Sequence, residues 1–242
     1  WIYEIGLVVS DEIHLIGDAG RGPTLEMILT RLKTGYVGKK PQIIALSATI
    51  SNSSELAEWL DCKLVESEWR PVPLSEAVYS NHTITNQDRI ESEGNLDKKR
   101  ETRHRNPAIG LGLDIVEGGA QSLIFTMTRS SAVAAATEAG KFVAEQLKKD
   151  ELEELAKTSK TILPRETEDQ TKLVKKLADA VKNGTAFHHA GLDQRCRTII
   201  ETEFKNGNIK LLTATPTLAA GVNLPARRVI ISSVFRFGSN GN

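Results

Sequence analysis

The chain has 242 residues, of which 40% are hydrophobic and 26% charged, an ordinary globular composition with room for one large domain or two small ones. Thirty-one Lys and Arg balance thirty-one Asp and Glu, so bulk charge identifies no nucleic-acid partner, and such binding requires a local basic surface. No apolar run has the length of a membrane span and no secretory leader is visible, which favours a cytoplasmic protein. Because Trp1 leads directly into a core-like run, we expect the chain to be a piece of a longer protein.

The first part of the chain alternates between predicted strands and helices. Residues 5–11 and 42–47 are apolar on consecutive positions, which is typical of parallel strands covered on both faces. Residues 22–33 carry apolar side chains at helical spacing, and residues 53–60 form a second, short helix. A third strand is predicted at residues 62–66. This alternation predicts an α/β fold with a parallel sheet.

A domain boundary is predicted in residues 67–76, where Pro71 and Pro73 favour an extended connection. We therefore divide the chain into residues 1–70 and residues 71–242. The second part repeats the alternation of strand and helix, so a second parallel α/β layer is predicted. Its predicted strands cover residues 121–126, 185–189, 209–214 and 227–233, and its predicted helices cover residues 130–147 and surround Leu177 and Ile200.

A polar stretch at residues 81–106 separates the two alternating parts. It is heavily charged, with both signs interleaved. We predict a solvated surface loop there, and a basic arm that binds nucleic acid is the alternative.

Two adjacent carboxylates, Asp11 and Glu12, follow the first predicted strand. Ligands of parallel α/β sheets bind at the carboxyl ends of the strands. A carboxylate pair at such an end suits a hydrated Mg²⁺ and the water that attacks a phosphate, because one group holds the metal while the other orients or deprotonates the water. The alternative is a pair of acidic residues that caps a helix N-terminus.

Further polar clusters also lie at the carboxyl ends of predicted strands. They are "ALSATI" (45–50), "LIFTMTRSSA" (123–132), "FHHAGL" (187–192) and "TATPTLAAGVNLPARRVI" (213–230). Together with "DEIH" (11–14), and in this order, they resemble the motifs of superfamily 2 helicases. The phrases "RGPTLE", "WRPVPL" and "TLAAGVNLPAR" are similar to the Ski-like branch of that superfamily. The resemblance covers nearly the whole chain, most strongly residues 5–75 and 185–237.

The resemblance implies two RecA-like domains, the first one partial, with a nucleotide site. By analogy, Asp11 binds Mg²⁺ through its water shell and Glu12 is the catalytic carboxylate. His14 would link the nucleotide to the facing domain, although in its own right it also fits a polar residue on a surface turn. Gly221 would allow close approach of the backbone, and Asn223 would face the nucleotide ribose.

A second group of residues is implied to couple the nucleotide state to domain closure. This group is Ser47, Ala48 and Thr49, the "SAT" of the second predicted strand. Considered without the resemblance, Ser47 and Thr49 are also explained as strand-end hydroxyls that satisfy turn amides.

A third group is implied to contact nucleic acid. Thr128 and Thr215 are placed to form hydrogen bonds with phosphates. Such contacts position the protein on the nucleic acid but do not recognise its base sequence. Arg129 is compatible with a phosphate contact and equally with a surface arginine at a helix start. His189 and Gly191 match a short motif that follows. The adjacent histidine pair has no third ligand at suitable spacing, so we predict no metal site there.

The function implied by the resemblance is that of an ATP-dependent DNA helicase with ATP and Mg²⁺. It would translocate on single-stranded or forked DNA and unwind duplexes in replication-fork repair or recombination. An RNA helicase of the same branch is one alternative, because phosphate contacts do not distinguish the two nucleic acids. A non-catalytic interaction module is another, against which Glu12 and Asn223 argue. Because residues 1–242 contain no GxxxxGK[ST] loop, we expect them to be inactive in ATP hydrolysis by themselves.

Overall fold

The structure is a computed structural model that describes residues 4–35, 40–48, 50–80, 83–86, 91–93, 105–163, 172–218 and 223–233. Thr49 and Gly221 lie outside these ranges. The internal contacts divide the chain into two units, unit 1 (Trp1–Leu74) and unit 2 (Ser75–Asn242). Within the ranges that are described, no helix combines the length and the apolar character needed to cross a membrane.

Unit 1 is built around a pair of parallel strands, β1 (Leu7–Ser10) and β2 (Gln42–Ala45). A short 3-10 turn at Ile13–Gly17 and helix α1 (Gly22–Thr34) connect the two strands, and helix α2 (Ser53–Leu60) follows β2. The parallel pairing confirms the predicted α/β class for this part of the chain.

The core of unit 1 is small and lies where these elements meet. Ile13, Leu29 and Leu60 are its fully buried side chains. The strand predicted at residues 62–66 is wrong: this segment has no strand pairing, and Val65 is 80% exposed. A strand needs a neighbour to receive its backbone hydrogen bonds, and no described strand lies beside this segment.

Unit 2 contains a four-stranded parallel sheet surrounded by helices. Its strands are β6 (Ser122–Phe125), β7 (Thr185–His188), β8 (Leu211–Ala214) and β9 (Arg228–Ile231), in the order β7-β8-β6-β9. Its helices are α3 (Pro107–Glu117), α4 (Arg129–Val143), α5 (Lys149–Ile162), α6 (Lys172–Lys182) and α7 (Gln194–Lys205). Short 3-10 turns occur at Ala144–Gln146 and Pro216–Leu218.

Two hydrophobic clusters stabilise unit 2, and α4 contributes small side chains to both. Ala132 and Ala136 belong to the cluster of α5, α6 and α7, whereas Ala135 and Ala139 belong to the cluster of α3. Helix α3 approaches the sheet closely at Gly112, where a Cβ would lie 3.0 Å from Leu211 Cδ1 and 3.1 Å from Ile124 Cδ1. The fully buried strands explain the continuous apolar runs in the sequence.

An antiparallel sheet and two helices of unit 2 were not predicted from the sequence. The loop predicted over residues 81–106 is wrong at β4 (Thr83–Asn86) and β5 (Glu91–Glu93). Strand β4 pairs with β3 (Ala77–Ser80) on one side and with β5 on the other. Their hydrophobic signal is weak because few apolar residues, such as Ile84 opposite Tyr79, mark the strands. Helices α3 and α5 were not predicted, and α4 ends at Val143, before the predicted end at residue 147.

Candidate functional site

The carboxyl ends of β1 and β2 are joined by backbone hydrogen bonds. The amide of Leu46 donates to the carbonyl of Ser10 at 2.8 Å, and the amide of Ile13 donates to the carbonyl of Leu46 at 2.9 Å. These bonds hold residues 11–14 beside residues 46–48, and we call this pair of segments the carboxyl edge of unit 1. The "DEIH" and "SA" residues predicted to act together are therefore neighbours at one edge of the sheet.

Glu12 has a strained backbone conformation at this edge. Its φ of 52° and ψ of 46° lie in the left-handed region, which costs about 1–2 kcal/mol for a residue that is not glycine. Its amide donates to Oδ1 of Asp11 at 2.9 Å, and both carboxylates are exposed. Strained residues of this kind are concentrated at active sites and ligand-binding segments, so the conformation supports a functional role for Glu12.

His14 connects the two segments of the carboxyl edge through its side chain. Its Nδ1 lies 3.1 Å from Oε2 of Glu12 and 3.3 Å from Oγ of Ser47. Glu12, the predicted catalytic carboxylate, and Ser47, the first residue of the predicted coupling group, thus both contact Nδ1 of His14.

Asp11 has a carboxylate oxygen available to hold a hydrated Mg²⁺. Its Oδ1 accepts the amide of Glu12, whereas its Oδ2 has no protein partner among the residues that the structure describes. Magnesium commonly keeps several waters and is bound by one or two carboxylates together with substrate phosphates. The exposed Asp11 therefore fits the metal role that the resemblance implies.

The corresponding edge of unit 2 contains Thr128 and Arg129 after β6. Thr128 is the N-cap of α4, since its Oγ1 accepts the amide of Ser131 at 3.1 Å and lies 2.7 Å from Oγ of Ser131. Arg129 is exposed, and no hydrogen bond or ion pair to the described residues engages its guanidinium. The cap explains Thr128 structurally, and Arg129 is left as the available cation at this edge.

His189 and Gly191 lie next to Arg129. The amide of Gly191 donates to Nδ1 of His189 at 3.1 Å, and a Cβ on Gly191 would lie 3.4 Å from Nη1 of Arg129. His189 is 2% exposed and stacks on Phe187 with ring centroids 5.6 Å apart. Burial and the Arg129 charge lower the pKa of His189. Because its Nδ1 accepts the amide of Gly191, the neutral ring has its proton on Nε2. Arg129, His189 and Gly191 are thus one cluster.

His188 makes a buried interaction that the sequence analysis missed. Its Nε2 lies 2.9 Å from Oε1 of Glu201, and the pKa of His188 is lowered, chiefly by burial, although the Glu201 carboxylate acts to raise it. The backbone carbonyl of His188 accepts the amide of Thr215 at 3.2 Å. Thr215 is 8% exposed, so this predicted phosphate ligand is buried against β7. The adjacent histidines were the only signal in the sequence, and they do not identify Glu201.

The remaining predicted site residues are either exposed or outside the described ranges. Ala48 is exposed beside Ser47 on the carboxyl edge of unit 1, and Asn223 is exposed in irregular structure before β9. Thr49 and Gly221 fall outside the described residues, so their predicted roles stay predictions.

Two family models match the chain. The model described as DEAD/DEAH box helicase covers residues 2–57, and the model described as helicase conserved C-terminal domain covers residues 143–239. The first contains the carboxyl edge of unit 1, and the second contains β7, β8 and β9 with the polar residues that follow them.

Curated relatives resemble the chain over almost its whole length. The ATP-dependent DNA helicase Hel308 of Pyrobaculum calidifontis is 42% identical over 98% of this chain and 32% of that protein. The Hel308 proteins of Methanocella arvoryzae and Pyrococcus horikoshii are 42% and 39% identical over 99% and 100% of the chain, and over 31% of each relative. The chain thus spans about a third of the length of the relatives it matches.

Proposed function

The chain belongs to the superfamily 2 helicases, and from that premise we propose that it is part of an ATP-dependent DNA helicase of repair or recombination, acting inside the cell. The observation that carries this proposal is the carboxyl edge of unit 1, where Asp11, Glu12, His14 and Ser47 are neighbours. The activity and the choice of DNA follow the relatives, which are ATP-dependent DNA helicases.

Within this proposal the carboxyl edge of unit 1 hydrolyses ATP. Glu12 orients the attacking water and accepts its proton, and Asp11 would hold Mg²⁺ through its water shell. The metal, when bound, neutralises charge on the phosphates. In the described state Glu12 contacts His14, so release of that contact frees the carboxylate for the water. His14 also links the nucleotide site to the facing domain.

The coupling and ribose-contacting residues complete the proposed nucleotide site. Ser47, Ala48 and Thr49 transmit the nucleotide state, and the contact of Ser47 with His14 supports a direct path to Glu12. Gly221 and Asn223 approach the nucleotide from the second RecA-like domain. We propose that unit 1 is part of the first such domain and unit 2 is part of the second.

The nucleic-acid contacts are proposed for Thr128, Arg129, His189, Gly191 and Thr215. Arg129 is supported best, because its guanidinium is exposed and without a partner among the described residues. His189 is a positioning residue that holds the amide of Gly191 beside this guanidinium. For Thr128, the hydroxyl must serve both as helix cap and as phosphate ligand.

The test is unwinding by the full-length gene product on matched forked DNA and RNA substrates with Mg·ATP. We expect ATP-dependent unwinding of DNA, with little unwinding of RNA. Unwinding of RNA alone would favour the RNA helicase alternative. Binding of nucleic acid with no hydrolysis of ATP would instead favour a non-catalytic module.

A further inference from the structure

An open groove runs along the outer surface of unit 2 between α4 and the start of α6. Residues 130, 133, 134, 137, 138 and 141 of α4 line it. Their spacing places them on one stripe of the helix, about 17 Å long at 1.5 Å per residue. Lys172, Leu173 and Lys176 of α6 form the opposite wall.

The groove has an apolar floor. Val133 and Leu173 are half-buried there against the core of unit 2, and Ala134 is exposed beside them. The hydroxyl of Thr137 donates to the carbonyl of Val133 at 2.8 Å, which removes this donor from the surface. A ligand in the groove therefore meets methyl and methylene groups rather than hydrogen-bonding partners.

The rim of the groove is basic. Lys141, Lys172 and Lys176 are exposed, and none of these ammonium groups forms an ion pair or hydrogen bond with the part of the chain that the structure describes. Glu138 is the carboxylate among the lining residues, and it already makes an interaction of its own. The groove therefore offers three cations around a hydrophobic strip.

An occupant that complements this groove must supply both apolar side chains and negative charge. Single-stranded nucleic acid supplies the charge, but the lining includes neither an aromatic ring nor an arginine on which a base could stack. An amphipathic acidic helix supplies both features, with apolar residues for the floor and carboxylates for the lysines. We propose that this groove is a docking site for an acidic amphipathic helical segment of a partner protein.

The position of the groove places such a partner beside the predicted nucleic-acid residues. The groove ends at Ser130, whose Oγ lies 3.0 Å from Oγ1 of Thr128. A docked segment would thus lie next to Arg129 without covering the buried His189. This inference stands on the groove itself and does not depend on the helicase activity proposed above.

The probe for this proposal is a fluorescein-labelled peptide of about 16 residues, long enough to form a helix on binding. Leucines at helical spacing form one face, and glutamates fill the other positions. A second peptide has the same composition in scrambled order. Binding to the 242-residue chain is followed by fluorescence anisotropy at about 0.1 M salt, where exposed charges act over about 10 Å. A single-stranded oligothymidine is measured in parallel.

Two variants of the groove are compared with a matched control. The triple variant K141Q/K172Q/K176Q removes the basic rim, and Ala134→Glu places a carboxylate on the floor at an exposed helical position. The control K160Q/K182Q/K205Q removes the same number of exposed lysines elsewhere on unit 2.

We expect the amphipathic peptide to bind, and its Kd to rise about fivefold or more in both groove variants. The triple variant loses three exposed ion pairs of modest strength, and Ala134→Glu places a charge of the same sign as the peptide on the apolar floor. The control should change it less than about twofold. Equal binding of the scrambled peptide, or equal weakening by the control, would overturn the proposal. Loss of oligothymidine binding in the groove variants without peptide binding would show a nucleic-acid surface instead.

Discussion

The two polar strand edges of the molecule use similar residue types in opposite ways. At the carboxyl edge of unit 1, Asp11, Glu12 and His14 are exposed and contact one another at the surface. At the edge of unit 2, His189 and Thr215 are buried. Exposed groups are available to a ligand, whereas buried groups satisfy the backbone and hold other residues in place.

The difference is also visible in how each edge is held. Glu12 is in a left-handed conformation on a unit with a small core. The polar residues of unit 2 rest on a sheet of four parallel strands, in which β6 and β8 are paired on both sides. This comparison predicts that substitutions at the first edge change chemistry more than stability, and that substitutions at the second change stability more than chemistry.

The largest expected effect is that of Glu12→Gln in the full-length gene product. Loss of a general base lowers the rate by about 10²–10⁴-fold. We therefore expect ATP hydrolysis to fall by this factor while binding of Mg·ATP is retained, as measured by steady-state turnover and by equilibrium binding. The control is Glu26→Gln, an exposed carboxylate on α1. Equal loss of binding and hydrolysis would assign Glu12 a structural role.

A matched pair of hydroxyl substitutions tests the stability half of the comparison. Thr213 is fully buried and donates to the carbonyl of Ala132 at 2.7 Å, so Thr213→Val should lower the free energy of unfolding of unit 2 by about 1–2 kcal/mol. Ser47→Ala, at an exposed site, should change that of unit 1 by less than about 0.5 kcal/mol.

For these two variants, urea unfolding of unit 1 and of unit 2 can be followed by different signals. All three tryptophans lie in unit 1, so tryptophan fluorescence follows that unit, whereas most of the helical circular dichroism comes from unit 2. A larger loss in Ser47→Ala than in Thr213→Val would break the comparison between the two edges.

Gly191→Ala tests whether the cluster of unit 2 positions Arg129. The added Cβ would lie 3.1 Å from Nδ1 of His189 and 3.4 Å from Nη1 of Arg129, so at least one of these groups must move. Overpacking of this kind costs about 1–3 kcal/mol of folding stability. Because Arg129 or His189 must shift, we also expect single-strand binding by the full-length gene product to weaken about fivefold, which corresponds to about 1 kcal/mol. Ala190→Ser, at the exposed neighbouring position, is the control. Unchanged affinity would remove Arg129 and Gly191 from the proposed interface.

The smallest expected effect is on the pH dependence of stability. Because burial lowers the pKa of His188 in the folded state, the unfolded chain binds more protons as the pH falls through the ordinary histidine value of 6.5. Unit 2 therefore loses stability below that pH. His188→Gln removes the titration while its amide can still donate to Glu201, so the loss between pH 7 and 5 should become smaller.

The matched substitution for this prediction is His14→Gln in unit 1. It should leave the pH dependence of unit 2 unchanged, as followed by circular dichroism during urea unfolding at several pH values. If the stability of unit 2 depends on pH in His188→Gln as it does in the original chain, then His188 keeps its ordinary proton affinity in the folded state.

The parts of the fold predicted correctly are those with a strong local signal. Strands β1, β2, β6, β7, β8 and β9 lie within predicted strands, because each is marked by a largely apolar run of consecutive residues. The predicted cover on both faces is wrong for β1, where Leu7 is 50% and Val9 54% exposed, whereas β7 and β8 are fully buried. Helix α3 was missed although Asn106 and Pro107 form a recognisable start, with the Asn106 side chain accepting the amide of Ala108 at 3.0 Å. Residues 62–66 were wrongly predicted as a strand. They contain apolar residues, but no described strand lies beside them with which they could pair.

The family, the α/β class and the position of polar residues at strand ends could all be predicted from the sequence, because the order of motifs and the apolar periodicity are local properties of the chain. Which of those polar residues are exposed and which are buried depends on the folded structure. His188 meets Glu201, Thr128 caps α4 and His14 joins Glu12 to Ser47. Burial and the longer contacts depend on elements that are distant along the chain and adjacent only after folding, so no local pattern in the sequence specifies them.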